Sequence, residues 1–294
     1  MLSKQLEEFI INNLTEKLNH SISSIKFQSV GGGPINNTYK LTLNNQQNFF
    51  LKLNNADRFP NLFVKEKNGL EFLATQHCIQ ILSVIFCETH DNNQLLILEW
   101  IASGPRTGNF WKQFGENLAK LHQCSHLQFG FDEDNYMGSL PQQNSFMNKW
   151  VDFFIEKRLT PQMEIALQKN LLSSKHIDSF QKLFKKLDSI FNEERPSLLH
   201  GDLWSGNFMC NEQSEPVLID PAVYFGHRSV DLAMTTLFGG FDRAFYDAYH
   251  YHFPLLVNYE EQWEIANLYP LLIHLNLFGQ SYLHDINGTL QRFT

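Results

Sequence analysis

"LHGDLWSGN", residues 199–207, decides how the rest of the chain is read. It sets Asp202 and Asn207 five positions apart on a turn of small residues, with Trp204 between them. Thirteen residues past Asn207, after the apolar run "PVLI", stands Asp220. Phosphoryl transfer to a hydroxyl asks for this order. One carboxylate orients the acceptor and takes its proton, while an amide oxygen and a second carboxylate hold Mg²⁺ against nucleotide phosphates. The kinase catalytic loop H-R-D-x-x-x-x-N and its later D-F-G run in the same register. Here Gly201 replaces the arginine and "DPA" (220–222) replaces DFG. Polar turns also use Asp and Asn simply as caps, so the string needs support from the rest of the chain.

Support comes from the amino-terminal side. "IKFQSVGGGPINNTYKLTLNNQQNFFLKL" (25–53) reads as strand, glycine turn, strand, polar turn, strand. Lys52, in "FFLKL", falls on the third strand, where a kinase keeps the lysine that grips the α- and β-phosphates. The helical pattern that follows offers Glu66 as its ion-pair partner, nearer the helix start than the rival Glu71. Gly31, Gly32 and Gly33 are the expected phosphate-covering turn, since glycine permits positive φ and close backbone approach. The run departs from the G-x-G-x-x-G of protein kinases. "LEWIA" (98–102) is placed to meet the adenine edge through main-chain groups near Glu99 and Ile101.

Bulk composition agrees with a globular enzyme. The chain has 294 residues, 43% apolar and 18% charged, with a net charge of −8 and no Lys/Arg-rich run. That balance argues against nucleic acid or an anionic membrane as partner. Four scattered cysteines without a C-x-x-C pair read as free thiols in a reducing compartment. No apolar stretch approaches the roughly 18–20 residues that span a bilayer, and the first residues do not form a signal peptide. A cytoplasmic location is expected.

The pattern as a whole predicts an α+β, bilobal plan. Residues 1–100 form an amino-terminal nucleotide-binding lobe, a small antiparallel sheet of about five strands with one helix after the third. Residues 101–294 form a larger, mainly helical catalytic and substrate lobe, interrupted by β structure over about 198–220. "IASGPRTGN" (101–109) is the linker between them.

The chain resembles the fructosamine kinase (ketosamine 3-kinase) family, relatives of aminoglycoside and choline kinases with a protein-kinase-like fold. The resemblance runs over nearly the whole length. It rests on "GGGPINNTYKL", "FLKLN", "FVKEKNGLEFL", "LILEWI", "NYMGSLPQQN", "WVDFFIEKRL", "LHGDLWSGN", "DPAVYFGHRSVDLAMTTLFGGF" and "LYPLLIHLNLFG". It implies ATP-dependent phosphorylation of the 3-hydroxyl in ketosamines, the adducts of reducing sugars with amines. The unstable 3-phosphate then leaves and frees the amine. Ribulosamines and erythrulosamines are expected ahead of fructosamines, on small molecules or on protein, with the enzyme a monomer.

Carried over by motif, Asp202 is the base, Asn207 and Asp220 are the Mg²⁺ ligands, and Lys52 with Glu66 is the phosphate clamp. Several family members carry a cysteine in the glycine turn that forms a regulatory intermolecular disulfide. Residues 31–36 hold none, so that switch is not expected. Trp204 either packs on the sugar or its amine or braces the turn. Tyr224, His227 and Arg228 flank the Mg²⁺ aspartate and are expected to line the acceptor pocket. His200 and Asp231 are expected to brace the catalytic turn, and "YHYHF" (249–253) is expected to be a solvated helix rather than a metal site. Two other readings stand beside this one: a kinase of another aminated small molecule, such as an aminoglycoside or choline, and a nucleotide-binding pseudokinase. The presence of base, metal ligands and lysine together disfavours the last.

Overall fold

Ser3 opens the first helix, α1 (Lys4–Leu18), by accepting a hydrogen bond from the Leu6 amide, and Asn19 closes it in the left-handed conformation. Leu6, Ile10 and Leu14, spaced at one helical turn, form its buried stripe. The computed structural model describes residues 2–31 and 35–294. Gly32 and Gly33 of the expected phosphate turn lie outside them.

Five antiparallel strands follow: β1 (Ile25–Ser29), β2 (Asn37–Leu43), β3 (Asn48–Asn55) and then, after intervening structure, β5 (Val84–His90) and β6 (Asn93–Glu99). Their spatial order is β1-β2-β3-β6-β5. Alternation along β3 divides its side chains between two cores. Phe49, Leu51 and Leu53 join Leu41, Ile97 and the α1 stripe on one face. Lys52, paired across the ladder with Leu96, therefore points to the opposite face.

That opposite face meets α2 (Leu62–Ala74), inserted after the third strand as the periodicity predicts. Leu62, Phe63, Leu70 and Leu73 of α2 join the same apolar cluster as Phe114, Leu218 and Val223 from the carboxyl-terminal half. The short β4 (Gln80–Ile81) pairs in parallel with β11 (Pro216–Leu218), a second stitch across the chain.

Beyond Glu99 the chain turns mainly helical. α3 (Phe110–Gln123) leads to the hairpin β7 (Asn135–Met137) and β8 (Leu140–Gln142). The next helix starts at Trp150. It runs as α4 (Trp150–Phe153), a π-helical stretch Phe154–Leu159 and α5 (Thr160–Gln168). α6 (Ser174–Phe184) and α7 (Leu187–Ile190) follow. The β interruption comprises β9 (Ser197–Leu199), β10 (Phe208–Cys210), β11 and β12 (Tyr224–Gly226). α8 (Ser229–Met234), α9 (Arg243–His252), α10 (Tyr259–Ala266), α11 (Leu268–Phe278) and α12 (Leu283–Phe293) complete the chain. Among the described residues no helix is long and apolar enough to cross a membrane.

Candidate active site

The catalytic turn is the connection between β9 and β10, and its shape follows from buried polar contacts. Asp231, at the start of α8 and fully buried, accepts from the amides of His200 (2.7 Å) and Gly201 (2.8 Å). His200 Nε2 lies 2.9 Å from the Ile219 carbonyl, and Nδ1 accepts from the Asp202 amide at 3.3 Å. One imidazole thereby ties the turn to the residue before Asp220. Burial holds its pKa below the ordinary histidine range, so it acts as a neutral brace. Gly201 has φ +83°, and a Cβ there would meet the Ala222 carbonyl oxygen at 2.0 Å. Only glycine lets the two strands of the turn approach this closely.

On this frame Asn207 Nδ2 donates to the Asp202 carbonyl at 2.8 Å and to its carboxylate at 2.9 Å. Burial pushes the Asp202 carboxyl up to about 7, against the Asn207 hydrogen bond that lowers it. Asp220 follows β11 in the left-handed conformation, φ +54°. Its Oδ1 meets Lys52 Nζ at 2.7 Å, and the same ammonium meets Glu66 Oε1 at 2.7 Å. Lys52 is 2% exposed. Burial alone lowers the pKa of an amine, but the Asp220 and Glu66 charges outweigh it and hold Lys52 above its ordinary value. Burial likewise pushes Glu66 upward while Lys52 pulls it down. The short ion pair fixes the arrangement as cation with carboxylates. The rival Glu71 is half-exposed and reaches only Lys67, at 3.8 Å.

These side chains border one cavity of about 740 Å³ between the sheet and the helical half. Gly31, Glu99, Ile101 and Trp204 border it as well. The Glu99 amide donates to the Ser83 carbonyl at 2.9 Å, so that donor is already used. Its carboxylate accepts from the Ser83 amide at 2.7 Å. Trp204 is half-buried, its ring edge-on to Phe238 at 5.8 Å.

Two oxygen donors suit Mg²⁺ here. Asn207 has committed its amide nitrogen to Asp202, which leaves Oδ1 for a ligand, and the Asp220 side chain is 42% exposed towards the cavity. Mg²⁺ takes one or two protein oxygens and completes its shell with phosphate and water. Among the described residues there is no cluster of three or more His, Cys, Asp or Glu able to hold a metal alone. The donor set therefore fits a cation brought in with phosphates.

Tyr224, His227 and Arg228 are not on the cavity wall, which corrects the expectation that they line the acceptor pocket. The chain turns inward after Pro221. Tyr224 is fully buried, with its ring 5.7 Å from Phe153 and beneath the Arg158 guanidinium at 4.0 Å. His227 contacts the Ser229 hydroxyl at 2.8 Å, and Arg228 pairs with Glu194 at 2.7 Å. Their work is to seat β12 and α8 behind the catalytic turn.

Gln142, Asn144 and Arg158 sit in sequence motifs that give them no role of their own, and the tertiary structure supplies one. Gln142 donates to Asn135 (2.8 Å) and to the Ala222 carbonyl (3.1 Å), and Asn135 donates to the Val223 carbonyl (2.8 Å). Asn144 donates to Asn135 at 3.1 Å, and buried Arg158 donates to Asn144 at 2.7 Å. The network fixes the backbone just after Asp220. Also unforeseen are hairpin residues Tyr136, Met137 and Gly138, and His274, Leu277 and Phe278 of α11, all on the cavity wall. The one signal in the sequence is a histidine within the mostly apolar "LYPLLIHLNLF".

Comparison with known proteins identifies a family. The fructosamine kinase family model matches residues 6–294. A protein of Synechocystis named "Probable ketoamine kinase" is 39% identical over 90% of this chain and 89% of its own. The chloroplastic protein-ribulosamine 3-kinase of Arabidopsis thaliana is 35% identical over 87% of this chain and 79% of its own. A crystal structure from Haemophilus somnus, assigned as a fructosamine-3-kinase, superposes with a TM-score of 0.87 at 27% identity, covering 97% of this chain and 96% of that one. A sheet-rich amino-terminal half, a helical carboxyl-terminal half and a lysine–carboxylate site between them make this a kinase-like fold. With the match extending over all but the first few residues, the chain belongs to the fructosamine kinase family.

Proposed function

We propose that this protein uses ATP to phosphorylate ketosamines, with ribulosamines and erythrulosamines preferred, at the sugar 3-hydroxyl. The phosphate then leaves and the amine is freed. One observation carries the phosphoryl-transfer reading: Lys52, from the sheet, meets Asp220, 168 positions away, at 2.7 Å beside Asp202 and Asn207 on one cavity. The relatives named as ketoamine and ribulosamine kinases favour ketosamines over aminoglycosides or choline as acceptor.

In this reading Asp202 accepts the proton of the acceptor hydroxyl as its oxygen attacks the γ-phosphorus. Lys52, held by Glu66, lays its charge against the α- and β-phosphates, and Gly31 brings backbone close to them. Asn207 Oδ1 and the Asp220 carboxylate would hold Mg²⁺, whose charge would offset that of the phosphates. Trp204 packs on the sugar or its protonated amine, which gains from the ring face. A cytoplasmic monomer goes with this reading, and size-exclusion with light scattering tests the oligomeric part.

The decisive assay is ADP release with ribulosyl-lysine, fructosyl-lysine, lysine, choline and kanamycin. Turnover on the ketosamines and none on free lysine is expected. Faster turnover on choline or kanamycin would replace this acceptor class. Nucleotide binding without turnover on any of them would make the protein a pseudokinase.

A further inference from the structure

Helix α2 carries Glu66 and is held at three points by different segments. Glu66 reaches the sheet through Lys52. Gly69, one turn on, lies against the segment after Asp220, where a Cβ would meet Val223 Cγ2 at 3.1 Å. Lys65 and Asn68, three positions apart and so on one side of the helix, both reach Glu133. Lys65 Nζ sits 2.5 Å from Oε2, and Asn68 Nδ2 donates to Oε1 at 2.8 Å. Each carboxylate oxygen thus has its own partner, which fixes the side chain in rotation as well as position. The pair is only about a quarter exposed.

Glu133 stands two residues before the β7–β8 hairpin. That hairpin puts Tyr136, Met137 and Gly138 on the cavity wall, and the Tyr136 hydroxyl donates to the Pro60 carbonyl, just ahead of α2, at 3.0 Å. Gly138 faces Leu277 of α11, 3.3 Å from where a Cβ would stand, so the hairpin tip forms the wall shared with His274 and Phe278. Neither Glu133 nor Asn68 borders the cavity. Lys65, which joins Glu133 to the helix, does border it, so an effect of theirs on turnover passes through that side chain and the helix that carries it.

We propose that Glu133 is a positioning residue: through Lys65 and Asn68 it ties the hairpin on the cavity wall to α2, and so couples an acceptor seated against that hairpin to the Lys52–Glu66 clamp. The inference rests on the reading of the site as a ketosamine kinase. An acceptor that settles the hairpin also settles α2, and with it the ammonium that faces the phosphates. Nucleotide and acceptor then bind with positive coupling, as linkage requires in both directions.

The test compares wild type with Glu133→Ala, Glu133→Gln and Asn68→Ala. Calorimetry with Mg²⁺ and a non-hydrolysable ATP analogue, with and without ribulosyl-lysine, gives the coupling; steady-state kinetics gives kcat and KM. In the wild type the acceptor should tighten the nucleotide about fivefold. In Glu133→Ala that factor should fall to near one, with kcat down about tenfold or more because a displaced clamp is costly. Glu133→Gln, which keeps one acceptor oxygen, and Asn68→Ala should fall between. A wild type without coupling overturns the proposal, as does a variant kcat within about twofold of wild type, or a fall in kcat with coupling intact. Should Glu133→Ala fail to fold, the other two variants decide. If the wild type does not turn over ribulosyl-lysine, the substrate reading fails. The acceptor-free nucleotide Kd then still judges the strut: it should weaken about threefold in Glu133→Ala, and an unchanged value overturns it.

Discussion

Asn207 spends both hydrogens of its amide on Asp202, one on the main-chain carbonyl at 2.8 Å and one on the carboxylate at 2.9 Å. The consequence is directional. The amide cannot rotate without losing both bonds, so Oδ1 keeps one heading, and Asp202 keeps one oxygen free of Asn207. The two side chains proposed as base and metal ligand are thus oriented by each other, five residues apart, before any substrate arrives.

Asp202→Asn removes the proton acceptor and changes little else in shape. Turnover should fall by about 10²–10⁴-fold, while the Kd for nucleotide stays near wild type because Asp202 is placed towards the acceptor. Rapid-quench assays with parallel calorimetry measure both. Near-wild-type kcat would remove Asp202 from its role.

Lys52→Ala leaves Glu66 and Asp220 facing each other without their shared cation. KM for ATP should rise and kcat fall. The ligand-free protein should also lose stability, on the order of 3 kcal/mol, as when one partner of a buried pair is deleted. Urea titration reads the second effect independently of catalysis. Unchanged kinetics at limiting ATP would contradict the clamp.

Gly201→Ala places a methyl group 2.0 Å from the Ala222 carbonyl oxygen at φ +83°. Relief requires the turn to part from the segment that follows Asp220. A loss of about 4 kcal/mol or more, or soluble but inactive protein, should result. Thermal melts and ADP release report it, and an active variant of ordinary stability would show that the turn can open.

His227 supplies an acid-sensitive contribution. Burial lowers its pKa from 6.5 to about 4 in the folded protein, against the attraction of Glu194. The unfolded chain therefore binds the extra proton first. Stability is whole above about pH 6.5 and is lost as pH falls through 4. His200 and His274 shift in the same direction, also through burial. Urea midpoints between pH 7 and 4.5 should decline in the wild type and decline less steeply in His227→Asn. Equal slopes would mean that His227 does not contribute.

Much of this protein was legible in one dimension because its chemistry is local. Helical periodicity placed α2, and the strand–turn–strand pattern placed Lys52 on the third strand. A five-residue spacing brought Asp202 and Asn207 onto one turn, since a tight turn leaves its ends little freedom. The tertiary structure alone decided what depends on where distant segments pack. It turned Tyr224, His227 and Arg228 inward, because the chain runs buried from Pro221 through Val230 and their side chains find Phe153, Ser229 and Glu194 rather than the cavity. It brought Lys52 to Asp220, set Glu133 against α2, and assembled Gln142, Asn135, Asn144 and Arg158 beneath the backbone that follows Asp220. Those contacts join residues many positions apart, and no periodicity or spacing encodes a distance that only the packed core defines.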